Sequence, residues 1–361
     1  MKQRRIIVDG HLDLAVGALQ LRRDLTKTVP EIRKADTENT VTEFGTCTVT
    51  LPALRQGRVA VVCGTVMCRL DAKGSYAGTG FPTQGQCFGL GRGHAAYYEA
   101  LERLGEVRII RSLGDLDEVL SAWDDPTPQT PVGLVLTMES ADPVMDPDHV
   151  GEWYDIGLRM ASLSHYGTGA YAHGTGTSGG LLPGGGEMLR AFEEAGIILD
   201  LTHLTDQAFW EALESFDGLV AASHHNCRAL VPGQRQLDDE MIRAIARRDG
   251  VIGTSLDLWM LDPKWQGPGP KSEKKRDSTL GAAADHIDHV CQVTGSFGHA
   301  AIGSDLDGGF GVEQSPKDLE TIADLQKIGD YLQRKGYTEE QIRGVCSENW
   351  LRLLRRALKP S

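Results

Sequence analysis

The chain has 361 residues, 40% hydrophobic and 24% charged, the balance of a globular protein long enough to bury a large core. With 37 basic against 50 acidic residues its net charge is −13, which argues against a nucleic-acid or anionic-membrane partner. No apolar run approaches the roughly 18–20 residues that span a bilayer, and the "IIV" after "MKQRR" falls short of a signal h-region of about 7–15, so a cytoplasmic protein is expected.

In chain order, short apolar runs alternate with amphipathic helix patterns. The strand candidates are "RIIVDG", "GRVAVVCGTVM", "PVGLVLTME", "GLRMASLSH", "GIILDLTHL", "GLVAASHH", "GVIGTSLDL" and "AAIGSDLDG". Several are apolar almost throughout, as befits strands of a parallel sheet covered on both faces. Between them "GHAAYYEALERLG", "GGEMLRAFEEAG", "DQAFWEALESF", "DDEMIRAIARRDG" and similar stretches begin after Asp or Gly and stop at Gly, matching helix start and stop signals. The segment "VRIIRSLGDLDEVLSAW" breaks the alternation and reads as an inserted strand or helix. After the eighth strand come terminal helices through "SENWLRLLRRAL". Eight βα units in this length predict one α/β domain over residues 1–361, a (β/α)₈ TIM-type barrel, with a doubly wound open sheet as the alternative.

A barrel gathers functional side chains at the C-terminal ends of its strands. Six of the eight predicted strands end there in histidine or carboxylate: His11 and Asp13, Glu139, His165, His203, His224 beside His225, and Asp305 with Asp307 two residues on. Each alone has an ordinary reading, as a satisfied polar residue or a turn former. Together they would bury much unsatisfied polarity unless a metal were bound. Imidazole and carboxylate without thiolate suit Zn²⁺, with Mn²⁺ or Co²⁺ as substitutes. The set suffices for two ions if Glu139 bridges them, and the water they share then becomes a hydroxide nucleophile, with Asp305 placed to shuttle its proton.

The other histidines are assigned ordinary roles: packing or surface for His286 and His289, capping or exposure for His94, His149 and His299. His173, in "YGTGAYAHGTGTSGGLLPGGG", is a candidate for substrate contact. That stretch carries a formal G-x-G-x-x-G at Gly174, Gly176 and Gly179, but "LLPGGG" separates it from any helix, so it reads as a flexible rim and not a dinucleotide site. "WMLDPKWQGPGPKSEKKRD", after the seventh strand, reads as a mobile excursion or lid. The seven cysteines form no C-x-x-C pair and are expected to be free thiols.

In this order "DGHLD", "MES", "LSH", "DLTHL", "ASHH" and "GSDLDG" resemble the membrane (renal) dipeptidase family, metallopeptidases of the amidohydrolase superfamily. The resemblance runs from residue 6 to "ENWLRLL". It implies two zinc ions, one on His11 and Asp13, one on His203 and His224, bridged by Glu139. It assigns Asp305 as the acid/base, His165 as the residue that polarises the scissile carbonyl, and Arg235 as the grip on the substrate carboxylate, with Arg228 close enough to compete. It further implies dipeptide hydrolysis that tolerates a D-residue at the C-terminal position, and a homodimer. The sequence departs from the family pattern at His225, at Ser140 and in the loop after His165. That loop keeps a second substrate class open, another carboxylate-bearing amide or lactam. A metal-dependent binding protein without catalysis is the third reading.

Overall fold

The computed structural model describes residues 5–37, 44–71, 78–265 and 277–360. All eight predicted strands are present: β1 Ile7–Leu12, β2 Val59–Val66, β3 Val132–Met138, β4 Leu158–Ala161, β5 Ile198–Asp200, β6 Val220–Ala222, β7 Val251–Thr254 and β8 Ala300–Ile302. Each pairs in parallel with the next in chain order, so the sheet runs β1 to β8 without a crossover. The sheet then curls until β8 meets β1. Asp305 N donates to His11 O at 3.2 Å, and the Asp9 carboxylate accepts from Ser304 N at 2.7 Å and Ser304 Oγ at 2.5 Å. This is a nearly closed (β/α)₈ barrel, as predicted.

The strands are buried along their whole length because helices cover them outside and side chains fill the interior. One contiguous apolar core runs from β1 to the terminal helix Asn349–Ala357. Trp350 on that helix donates from Nε1 to Ile302 O at 2.8 Å, and a side chain at Gly10 would overlap its ring. The irregular excursion, expected as a strand or a helix, contains one of each, a strand at Val107–Ile109 and a helix at Leu113–Ala122. The short strand pairs with the start of β3, at Val132–Leu134, while β4 pairs with its end, at Leu136–Met138.

One loop expectation changes, and another lies largely outside the described residues. The glycine-rich stretch is folded, tied by bridges Tyr166–Thr175, Thr168–His173, Ala172–Leu181 and Gly174–Leu204. Gly174 is required there, since a Cβ would lie 1.9 Å from His165 O. The segment after β7 opens with a helical turn, Leu258–Leu261; the rest of the proposed lid, 266–276, lies outside the described residues. His94 also departs from expectation. It is not at an element start but inside helix Gln84–Arg103, fully buried, where Nδ1 accepts from Met67 N at 3.3 Å and Nε2 donates to the Gln20 carboxamide oxygen at 2.8 Å.

Candidate metal centre and active site

Eight of the residues singled out, His11, Asp13, Glu139, His165, His203, His224, Arg235 and Asp305, converge on one pit at the C-terminal mouth of the barrel. Glu139, 4% exposed, sits at its centre. Its Oε1 lies 3.1 Å from His203 Nε2, 3.2 Å from His224 Nε2 and 3.6 Å from His165 Nε2. Its Oε2 faces the other side, 3.6 Å from His11 Nε2. That imidazole nitrogen is also 3.8 Å from Asp13 Oδ2 and 3.9 Å from Asp305 Oδ1. Three sets of potential donors result, His11–Glu139–His224, Glu139–His165–His203 and His11–Asp13–Asp305; His225 joins none of them.

The hydrogen bonds behind the rings decide which nitrogen carries the proton. Ser223 Oγ donates to Asp200 Oδ2 at 2.5 Å, so its oxygen can only accept from His224 Nδ1, 2.8 Å away. Asp200 is itself held by Ser223 N and Thr202 N. Thr175 Oγ1 donates to His203 O at 3.1 Å and accepts from His203 Nδ1 at 3.1 Å. Both imidazoles therefore carry their proton on Nδ1 and aim the Nε2 lone pair into the pit. Those two nitrogens are 3.2 Å apart, and each is about as close to a Glu139 oxygen. Arg235 Nη2, 3.2 Å from His203 Nε2, meets one of these electron pairs; those of His224 and Glu139 still converge, a repulsion that a cation among them would relieve. His11 Nε2 and Asp13 Oδ1, both buried, have no hydrogen-bond partner. The donor set of imidazoles and carboxylates fits zinc.

Backbone geometry builds the pit as well. His203 and Asp305 take left-handed conformations, φ 70° and 59°, which side chains seldom adopt unless the surroundings impose it. A Cβ on Gly253 or Gly303 would lie 2.0 or 1.8 Å from Ser223 O, so both glycines let β7 and β8 close around the residue that orients His224. Burial keeps His165, His203 and His224 neutral, their basicity lowered well below the usual histidine range, with the charges of Arg235 and neighbouring groups adding to it. Burial raises the Asp305 carboxyl well above the carboxylate range; Glu139 and Asp13 reinforce the shift and His11 opposes it. Asp307 does something different: its carboxylate accepts from Thr48 N, Thr48 Oγ1 and Val49 N, anchoring that segment to the β8 loop.

Above these side chains opens a cavity of about 410 Å³. Arg235 lines it, buried, with Nη2 on His224 O at 3.0 Å and Nη1 without a partner. Arg228 does not compete, because both its terminal nitrogens are taken by the Asp206 carboxylate at 2.9 and 2.7 Å. His173 is not a lining residue; its Nδ1 bonds Gly180 O. Sequence reasoning missed Arg69, Tyr166, Asp257, Trp259 and Gln314 in the wall. The signal was available for four of them, which follow β2, β4 and β7 within a few residues.

Comparison with known proteins identifies the family. The family model for membrane dipeptidase, peptidase family M19, matches residues 1–360. An uncharacterized dipeptidase of Schizosaccharomyces pombe is 26% identical over 211 residues, 57% of this chain and 48% of the relative. A dipeptidase of Claviceps purpurea is 27% identical over 207 residues, 56% and 45% of the two chains. The matched region thus spans about half the length of these curated relatives. A crystal structure of an M19 metallopeptidase dipeptidase superposes with TM-score 0.78 at 22% identity, covering 99% of both chains. A Rhodobacter sphaeroides metallopeptidase, solved with a phosphinate mimic of the dipeptide L-Ala-D-Ala, gives TM-score 0.77 at 22% identity, over 98% of this chain and 100% of that one. These structures share the fold, and the match of the family model over nearly every residue identifies the lineage: the chain belongs to the membrane dipeptidase family, peptidase family M19.

Proposed function

We propose that this protein is a dipeptidase carrying two Zn²⁺ ions per chain, replaceable by Mn²⁺ or Co²⁺, on His11, Asp13, Glu139, His203 and His224. The observation that carries this reading is the position of Glu139, with one carboxylate oxygen toward His203 and His224 and the other toward His11. That arrangement suits a carboxylate shared between two ions. When bound, such a pair supplies Lewis-acid polarisation and a water acidic enough to attack at neutral pH.

The chain's own groups then divide the remaining work. Arg235 offers its unpartnered Nη1 to the substrate carboxylate and so fixes the position of the dipeptide. His165, neutral, donates its N–H to the carbonyl oxygen as negative charge develops there. With two cations beside it to offset the burial that raises its carboxyl, Asp305 is ionised, takes a proton from the attacking water and returns it to the amide nitrogen. The C–N bond then breaks to leave a carboxylate and an amine. Tolerance of a D-residue at the C-terminal position is supported by the ligand bound to the Rhodobacter protein. A single domain over 1–361 and a homodimer complete the proposal.

The test is turnover of a library of L-Xaa–L-Xaa and L-Xaa–D-Xaa dipeptides by zinc-loaded protein, with Asp305→Asn as control. Hydrolysis lost in the variant supports the reading. Two bound metals with no dipeptide cleaved would overturn it and direct the search to other carboxylate-bearing amides or lactams.

A further inference from the structure

The walls of the cavity differ from its floor. Where the floor is metal-ligand polarity, the wall is four large apolar side chains: Met67 after β2, Tyr166 after β4, and Trp259 and Met260 after β7. Both sides of that wall are built in advance. The Tyr166 ring packs edge-on against His165 and His203, centroids 4.8 and 5.0 Å away, and its backbone is held by Arg69 Nη1 on Tyr166 O at 2.8 Å. Asp257 caps the turn that carries Trp259 and Met260, through Trp259 N at 3.2 Å, and Gln314 Nε2 fixes Asp257 at 2.6 Å. Gln236 and Asn226 both donate to Met260 O, at 2.8 and 3.3 Å.

The charged groups of the wall are committed to this scaffolding. Arg69 is paired with Asp71 at 3.0 Å as well as with Tyr166 O, and Asp257 holds Gln314 and the helical turn. What the wall offers a ligand is therefore apolar surface, with two methionines whose flexible thioethers adapt to its shape. Tyr166 and Arg235 flank the same imidazole, since Arg235 Nη2 lies 3.2 Å from His203 Nε2. A substrate whose carboxylate is held by Arg235 would therefore have Tyr166 within reach of its C-terminal residue.

We infer that the preferred substrates are dipeptides whose C-terminal residue bears a large apolar or aromatic side chain, with Tyr166 and Trp259 as the residues that determine this specificity. The inference rests on the dipeptidase reading above. The experiment measures kcat/KM of the zinc-loaded full chain on L-Ala–Xaa with Xaa as Ala, Leu, Phe and Asp, in both stereochemical series. Filling an apolar pocket is worth roughly 10–200-fold, so Phe or Leu is expected to exceed Ala by at least about tenfold, with Asp below Ala. In Tyr166→Ala and Trp259→Ala the Phe-to-Ala ratio is expected to fall at least about fivefold. Because both substrates are measured on the same preparation, loss of folded protein cancels from the ratio. A flat series, a preference for Asp, or a Phe-to-Ala ratio unchanged in both variants overturns the inference while leaving dipeptidase activity intact. No turnover of any dipeptide overturns the dipeptidase reading, and the inference with it.

Discussion

Two pairs of buried histidines share a residue type and a shift in basicity, yet do opposite things. His94 and His286 lie on outer helices; His203 and His224 lie at the ends of β5 and β6. Burial depresses the basicity of all four, the outer pair to about 4. His94 spends both ring nitrogens on protein partners, and His286 Nδ1 accepts from Cys227 N at 2.9 Å, which places the His286 proton on Nε2, away from any convergent acceptor. In the inner pair Thr175 and Ser223 consume the Nδ1 protons, and the Nε2 lone pairs face one another across 3.2 Å. Neither burial nor lowered basicity marks a metal site. A lone pair aimed at another acceptor does.

The contrast can be broken or sharpened in three ways, beginning with the largest effect. Asp305→Asn removes the proposed proton shuttle while leaving the Glu139-centred donors in place. Activity on dipeptides is expected to fall about 10²–10⁴-fold, with metal content measured by mass spectrometry unchanged. A parallel loss of metal would mean that Asp305 acts as a ligand.

The outer pair should contribute to acid stability. Their folded-state basicity lies below that of the unfolded chain, about 6.5, so between pH 6.5 and 4 the unfolded state binds more protons. The stability they contribute is complete above the unfolded value and is lost as pH falls toward about 4. Each can account for up to roughly 3 kcal/mol. Denaturant midpoints followed across that range should fall less steeply in His94→Gln than in the unmodified protein. Equal slopes would contradict the packing role.

Smaller, and confined to the inner pair, is the effect of the relays. Ser223→Ala and Thr175→Val are expected to weaken zinc affinity about 10–100-fold in competition with a chelator, whereas His94→Gln should leave it unaltered. If the three variants bind zinc alike, the tautomer argument fails.

The fold and the cluster of imidazoles and carboxylates at its mouth were legible in the sequence for the same physical reason. Parallel strands buried on both faces read as apolar runs, and a barrel puts its chemistry where those runs end, so "DGHLD" and "GSDLDG" disclose strand and site together. The relays were not legible: Thr175, Ser223 and Asp200 are common residues whose role exists only once the β4 loop folds back over β5 and β6. Tyr166 and Trp259 likewise become a wall only through Arg69, Gln314 and Gln236, far away in the chain. His94 was misread because its partners, Gln20 and Met67, come from elements that approach the helix only in the closed barrel.

The most direct test of the central claim is anomalous scattering from crystals of the zinc-loaded protein. Two peaks about 3.5–4 Å apart, on either side of the Glu139 carboxylate, are expected, one against His203 and His224 and the other against His11 and Asp13. A single peak, or zinc bound away from Glu139, would contradict it.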